Sequence, residues 1–517
     1  NTHTFVTLTE NELYNANQQK DYYIVLWISE TGGLQTDNGI FNGVVKFEDT
    51  DSASSSSGQV NSPDLVQGLI PVSYNETTKT WVKADPDNNN NSWYDYTQKK
   101  WANAVLVNEE ASNCDDGCKD TITKKSRLEL QNASAGTEIS MDDILAFYVW
   151  IPRYKYKVWN KDKVVGTDSY NAQTTGIDIV FESDTNTTGT IVCNDYSYSA
   201  PSSTAGSPNE TCTGSNGDYY THPAFNLGGY DLKGFWIGKY ELSSETPTAS
   251  YGGGSSTTLT PRILPNVISW RDNKLSNFST VIQNMQASNN IYGLSTDKST
   301  TDSHMLTNME WGAVAYLTNS NYGRCTSGSC TEVTINNCNT FTTGIGADIV
   351  SASYSSTTCT TEANKYNGAK GVLASTTGNV YGVYDMSGGA YEYVMGNMSS
   401  TADTYTFYPR NSGFASSWYN DYSNQKYVNT YANGTTRNDQ SAYNRGRLGD
   451  ATGEVVASNG SGWYNGIAYF PYSSNPWFMR GGNYSNGSTA GVLGFNYLIG
   501  GAVSSNSARA ALVWFVS

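Results

Sequence analysis

Only two stretches of this 517-residue chain repeat apolar side chains at helical spacing, and that limits its fold more than any other feature. Within residues 277–287, Phe278, Val281, Ile282 and Met285 fall at i, i+3, i+4 and i+7, one face of a helix. The second stretch opens with Thr307 and Glu310 in capping-box spacing, so each side chain can satisfy an amide left unpaired at a helix start. Trp311, Val314 and Ala315 form its apolar stripe. Elsewhere short alternating or apolar runs are separated by Gly, Ser, Thr, Asn and Asp, the pattern of strands and turns. The expected fold class is α+β, rich in strands and loops.

Along the chain, residues 1–50 hold three strand-like runs, 3–8, 22–29 and 41–47. Three strands in so short a piece cannot close a core by themselves, so they must pack on something else. Tyr22, Tyr23, Ile24, Val25, Leu26 and Trp27 are apolar on both faces of such a strand, and an edge of that kind is a template for another chain. The segment therefore reads as an assembly strand of a homo-oligomer; the alternative is an intramolecular sheet. Residues 51–62, rich in Ser, read as a linker. Residues 63–135 read as a small β unit, with a hairpin from Leu69–Val72 to Thr80–Val82, a turn at Asn88–Asn91 and further strand text at 101–107. From residue 141 to 517 the text reads as a larger domain, with one long strand over 146–158. Arg153, Lys155 and Lys157 alternate there with Tyr154, Tyr156 and Val158, as the polar face of a strand would.

Composition decides the compartment and excludes some partners. Charged residues are 15% of the chain, against roughly 25% in ordinary soluble proteins. Ser, Thr, Asn and Gly replace them, as in extracellular β-rich proteins, while 38 Tyr and 13 Trp provide a core. A net charge of −16 without a basic cluster argues against nucleic acid and anionic membrane. No run approaches the roughly 20 apolar residues of a membrane helix. The chain opens at Asn1, which reads as a processed or truncated form, so the missing signal peptide is uninformative. The cysteines fall in close pairs inside polar loops: Cys114 with Cys118, Cys193 with Cys212, Cys325 with Cys330, and Cys338 with Cys359. Local disulfides in an oxidising compartment account for this; zinc is the rival, with His3, His222 and His304 all remote from the pairs. Asn-x-Ser/Thr sequons such as those at Asn75, Asn209 and Asn433 admit a glycoprotein, and so does bacterial-type glycosylation on Ser and Thr.

Five collinear blocks over about residues 222–517 carry a family resemblance. They are Phe235-Trp236-Ile237-Gly238-Lys239-Tyr240-Glu241, Met305-Leu306-Thr307-Asn308-Met309-Glu310-Trp311, residues 378–393 with Asp385-Met386-Ser387-Gly388-Gly389-Ala390-Tyr391-Glu392, Arg480-Gly481-Gly482-Asn483-Tyr484, and Ser507-Ala508-Arg509-Ala510-Ala511-Leu512. Together they resemble the formylglycine-generating-enzyme (sulfatase-modifying factor) family, which implies a C-type-lectin-like fold for the C-terminal domain. The family's oxidases need two cysteines shortly after the Arg-Gly-Gly motif; residues 483–496 have none, and three scattered histidines cannot build the facial iron site of related enzymes. The resemblance therefore implies a non-catalytic member.

The same resemblance implies a calcium site, with Asp385 and Glu392 as side-chain ligands and Gly388 and Ala390 as carbonyl ligands, oxygen donors suited to a hard cation. The plain alternative is that the two carboxylates only hydrogen-bond the loop. It further implies a ligand surface in 459–506, with Tyr464, Asn483, Tyr484, Asn486, Asn496 and Tyr497 as candidate binding residues. Rigid aromatics and adaptable amides of this kind suit recognition of glycan or protein. Two functions remain open: an extracellular filament or appendage subunit displaying the lectin-like domain, or a discrete cell-surface adhesin acting through 459–506.

Overall fold

The computed structural model describes residues 60–108, 127–194, 210–346, 359, 361–402 and 405–515. The chain divides into two units, and all described residues belong to Ser55–Ser517. The expected assembly strand and the Cys114–Cys118 pair lie outside the described residues. Strands predominate, and helices are few.

Two large sheets organise the unit. The first has seven antiparallel strands in the order Thr301–Met305, Ala510–Trp514, Gly234–Gly238, Ile144–Pro152, Asn103–Val107, Ile70–Asn75, Thr80–Lys83. The second has eight: along its main path run Asn429–Tyr431, Tyr391–Met398, Trp477–Gly481, Gly491–Leu498, Ile467–Ala468, Gly460–Gly462 and Val456–Ser458, and Asn506–Ala508 pairs with Tyr391–Met398 off that path. The 63–135 segment is therefore not a unit apart. Its three strands extend the same sheet as residues 141–517: Asn103–Val107 pairs with Ile144–Pro152, Ile70–Asn75 with Asn103–Val107, and Thr80–Lys83 with Ile70–Asn75. Nor is the end of the 51–62 linker loose. Asn61 donates through Nδ2 to the carbonyls of Asp184 (2.8 Å) and Lys233 (3.0 Å), and its own carbonyl accepts from the Trp150 indole.

The long strand expected over 146–158 is cut in two. Ile144–Pro152 belongs to the seven-stranded sheet, whereas Tyr154–Lys157 pairs with Ile179–Phe181 and Tyr219–Thr221 in a separate one. Arg153 sits at the break, 1% exposed, not on a solvent face. When a chain leaves one sheet for another, nearby carbonyls lose ladder partners and need donors. The guanidinium supplies them: Nη1 donates to the carbonyls of Phe225 (2.9 Å) and Leu232 (3.1 Å), Nε to Asn186, and Glu182 balances the charge. Arg509 plays the same part between Asn506–Ala508 and Ala510–Trp514.

Both helices form where the pattern places them. Leu275–Gln283 is α-helical and tightens into a 3₁₀ turn over Asn284–Gln286. Asn308–Thr318 begins with the reciprocal Thr307–Glu310 capping box. The core is aromatic, and its indoles also tie down loops. Buried Trp101, Trp236, Trp270 and Trp311 donate to the carbonyls of Tyr322, Asp64, Gly254 and Val492 at 2.7–2.8 Å. A Trp buries a large apolar area and still offers one donor, which suits a chain poor in charge and rich in loops. Cys193–Cys212, Cys325–Cys330 and Cys338–Cys359 are closed disulfides, which points to an oxidising environment and removes those thiolates as zinc ligands. Among the described residues, no helix is long and apolar enough to cross a membrane.

Candidate ligand-binding face

The five motif blocks converge between the two sheets. Lys239, fully buried, donates to Asn103 Oδ1 (2.7 Å) and to the carbonyls of Val380 (2.6 Å) and Gly382 (2.9 Å). Glu241 Oε1 accepts from the Ala390 amide at 2.7 Å. Arg480 donates to the Ala451 carbonyl and to Asn308 at the helix start. Arg509 grips both oxygens of Glu392 and also donates to the carbonyls of Gly238 (2.8 Å) and Tyr384 (2.9 Å).

These contacts bear directly on calcium. Asp385 already accepts from Asn336 Nδ2 (2.9 Å) and from the Gly344 amide, and Glu392 is fully engaged by a guanidinium. A divalent cation would have to displace nitrogen donors from both carboxylates and stand beside a fixed positive charge. Gly389 departs from the family's Asn for a related reason: a Cβ there would lie 2.4 Å from Glu241 Oε1, so the Glu241 carboxyl fills that space. Burial, together with the nearby Asp385 and Glu392, pushes the Glu241 pKa well above the usual carboxylate range. As they stand, Asp385 and Glu392 spend their oxygens on nitrogen donors, whereas the buried Glu241 Oε2 has no hydrogen-bond partner. Asp385→Ala should lower the melting temperature equally in calcium and in chelator; a loss confined to the calcium sample would restore the metal.

The six expected ligand residues do not form one site. Trp477–Gly481 and Gly491–Leu498 pair so that Met479 faces Asn496 and Phe478 faces Tyr497. Successive strand residues point to opposite faces, so Asn496 and Tyr497 look away from each other. On one face Asn496 and Asn486 both reach the hydroxyl of Tyr391. Asn483 there spends its side-chain oxygen on Ser485, and Tyr484 packs edge-on against Phe341 at 4.8 Å. Tyr464 belongs to neither face; its hydroxyl turns inward to Asn319 Oδ1 (2.6 Å) and the Gln173 carbonyl.

On the other face Tyr497 runs past the buried Phe478–Phe495 core and meets three residues that the sequence did not single out. Tyr472 lies 4.8 Å away, edge to face at 83°, and Tyr469 lies 6.4 Å away. Exposed Arg437 stands 5.5 Å from the Tyr469 ring centre and 5.6 Å from that of Tyr497, and donates to the Tyr497 hydroxyl. The three rings are half-buried. Tyr469 and Tyr472 lie inside the 459–506 span, but nothing local to Arg437 marks it in sequence.

No family model matches the chain. No curated protein matches it either. Among solved structures, Treponema denticola variable protein 1 is 13% identical, with 55% of this chain and 85% of that one covered and a TM-score of 0.24. The Major Tropism Determinant I1 variant is 10% identical over 88% of this chain and 75% of that one, TM-score 0.24. The U1 variant is 11% identical over 86% and 95%, TM-score 0.23. Likeness at this level fixes neither fold family nor function.

Proposed function

We propose that this is a non-enzymatic, extracellular binding protein of the adhesin kind, built on a C-type-lectin-like scaffold. The observation that carries the reading is the cluster of Arg437, Tyr469, Tyr472 and Tyr497. It offers an exposed cation and three partly exposed rings on the end of a fixed sheet. Little side-chain entropy is lost when such a surface binds, and Tyr and Arg are the residues that dominate recognition hot spots. The five motif blocks support the scaffold, and the stretch 483–496 has no cysteine for the family's oxidation chemistry.

The test uses the purified protein on a panel of immobilised glycans and extracellular-matrix proteins. Arg437→Ala with Tyr497→Ala is expected to cost at least about 30-fold in affinity, the scale of a hot-spot loss. Both side chains are at the surface, so the melting temperature stays put. Binding undiminished in the double variant, or no binding on the panel, sinks the reading.

A second reading concerns assembly. Residues 22–27 are apolar on both faces, which favours strand addition to a neighbouring copy and a filament or appendage subunit. Deleting residues 1–50 should leave a folded, soluble monomer. Particles or fibres like those of the full chain would rule the strand out as the connector.

A further inference from the structure

A cleft of about 430 Å³ is lined by Lys274, Arg410, Asn411, Leu498, Ile499 and Val503 among others. That volume lies in the range of small-ligand sites. The walls are laced by backbone: the Leu275 amide donates to the Gly500 carbonyl (3.1 Å), Ser276 to Ser412 (2.9 Å) and Asn411 to Ile499 (3.1 Å). Gly413, at φ +88°, lets its loop press onto the Lys274 stem; a Cβ there would stand 3.3 Å from Lys274 Cδ and 2.2 Å from Ser276 Oγ. The cleft is therefore held open in one shape before any ligand arrives.

Its charge runs against the rest of the molecule. The chain carries 47 acidic and 31 basic residues, yet the lining has two cations and no carboxylate. Lys274 and Arg410 are both exposed. Arg410 gives one Nη2 hydrogen bond to the Ser473 carbonyl (3.0 Å) and lies over the Tyr408 ring at 4.6 Å. Among the described residues neither cation pairs with an acid, and the remaining guanidinium edge has no protein partner. A guanidinium edge and an ammonium lining one cleft can recognise a carboxylate, the first through paired N–H groups and the second as a point charge. The Asn411 amide, also in the lining, offers a donor and an acceptor suited to a hydroxyl or acetamide. The floor of Leu498, Ile499 and Val503 accepts a C–H surface.

We propose that this cleft binds a carboxylate-bearing saccharide unit, its ring face on Leu498 and Ile499 and its carboxylate between Lys274 and Arg410. Its lining shares no residue with the Arg437 face. Two sources supply this chemistry, a terminal sialic acid and a uronic acid of a polysaccharide.

Calorimetric titration of the full chain with the methyl glycosides of N-acetylneuraminic acid and glucuronic acid, and with neutral methyl glucoside, tests the proposal. One acid is expected to bind at least about tenfold more tightly than the neutral sugar, and which acid does so identifies the source. Lys274→Gln with Arg410→Gln should lose at least about tenfold of that affinity while melting with the wild type, and Arg437→Ala should keep it. No binding of either acid at about 10 mM, equal binding of the neutral sugar, or binding that survives the double variant overturns the proposal. Loss of binding in Arg437→Ala would place the sugar at the other face instead.

Discussion

Replacing Arg509 by Ala should lower the free energy of unfolding by roughly 3–5 kcal/mol, the cost of leaving one partner of a buried ion pair alone. Glu392 is fully buried and loses both of its donors, and the carbonyls of Gly238 and Tyr384 lose theirs at the same time. Arg509→Lys should recover little, because an ammonium cannot span a carboxylate and two separated carbonyls in one plane. Arg509→Met combined with Glu392→Met should cost less than Arg509→Ala alone, since the orphaned charge goes with its partner. Urea denaturation of the three variants measures this; a loss under about 1 kcal/mol in the Ala variant would show that water reaches the junction and replaces the guanidinium.

What the sequence revealed was mostly local. The capping box of Thr307 and Glu310 could be read because its two residues are three apart, and the same holds for the hairpin of Ile70–Asn75 with Thr80–Lys83 and for the closely spaced cysteines. Long-range pairing left no comparable mark. Nothing in residues 63–135 says that their strands finish a sheet containing Ala510–Trp514. The break at Arg153 was hidden because its alternation with Tyr154 and Tyr156 continues smoothly across a change of sheet. The ligand residues show both limits. The opposed directions of Asn496 and Tyr497 follow from the two-residue strand period and were legible, whereas Arg437 reaches Tyr497 from sixty residues away. For calcium, the family pattern names the ligands but not Arg509, whose place beside Glu392 exists only in three dimensions.

Stability should fall, not rise, as the pH climbs above neutrality. Burial works against a charged imidazole at His304, but Glu310 at 2.9 Å and Asp302 at 3.1 Å outweigh it and raise its pKa to about 9. Asp302 in turn holds Lys426 at 2.5 Å and the Tyr427 hydroxyl at 2.7 Å. The free imidazole titrates near 6.5, so this stabilisation is complete below about pH 6.5 and is lost as the pH rises through about 9. The span corresponds to on the order of 3 kcal/mol. Glu332 and Glu454 act in the same direction. Burial pushes their pKa values to about 7 and about 8, so the folded state keeps protons that the unfolded chain releases near pH 4.5. Urea unfolding at pH 6 and pH 10 should show the decline, and His304→Gln should make it smaller, leaving the part that Glu332 and Glu454 contribute. An equal decline in wild type and variant would take His304 out of the account.

The place of Ala510–Trp514 in the first sheet has a consequence for how the protein is made. That strand lies between Thr301–Met305 and Gly234–Gly238 and pairs with both. While the ribosome works through the roughly two hundred residues between 305 and 510, each of those two strands waits with an open edge and no neighbour to receive it. Open edges in a nascent chain are sites of mispairing with other chains, and contacts this far apart in sequence close slowly. A chain of this design gains little by folding as it emerges. It is better matched to being held unfolded until residues 510–514 are available.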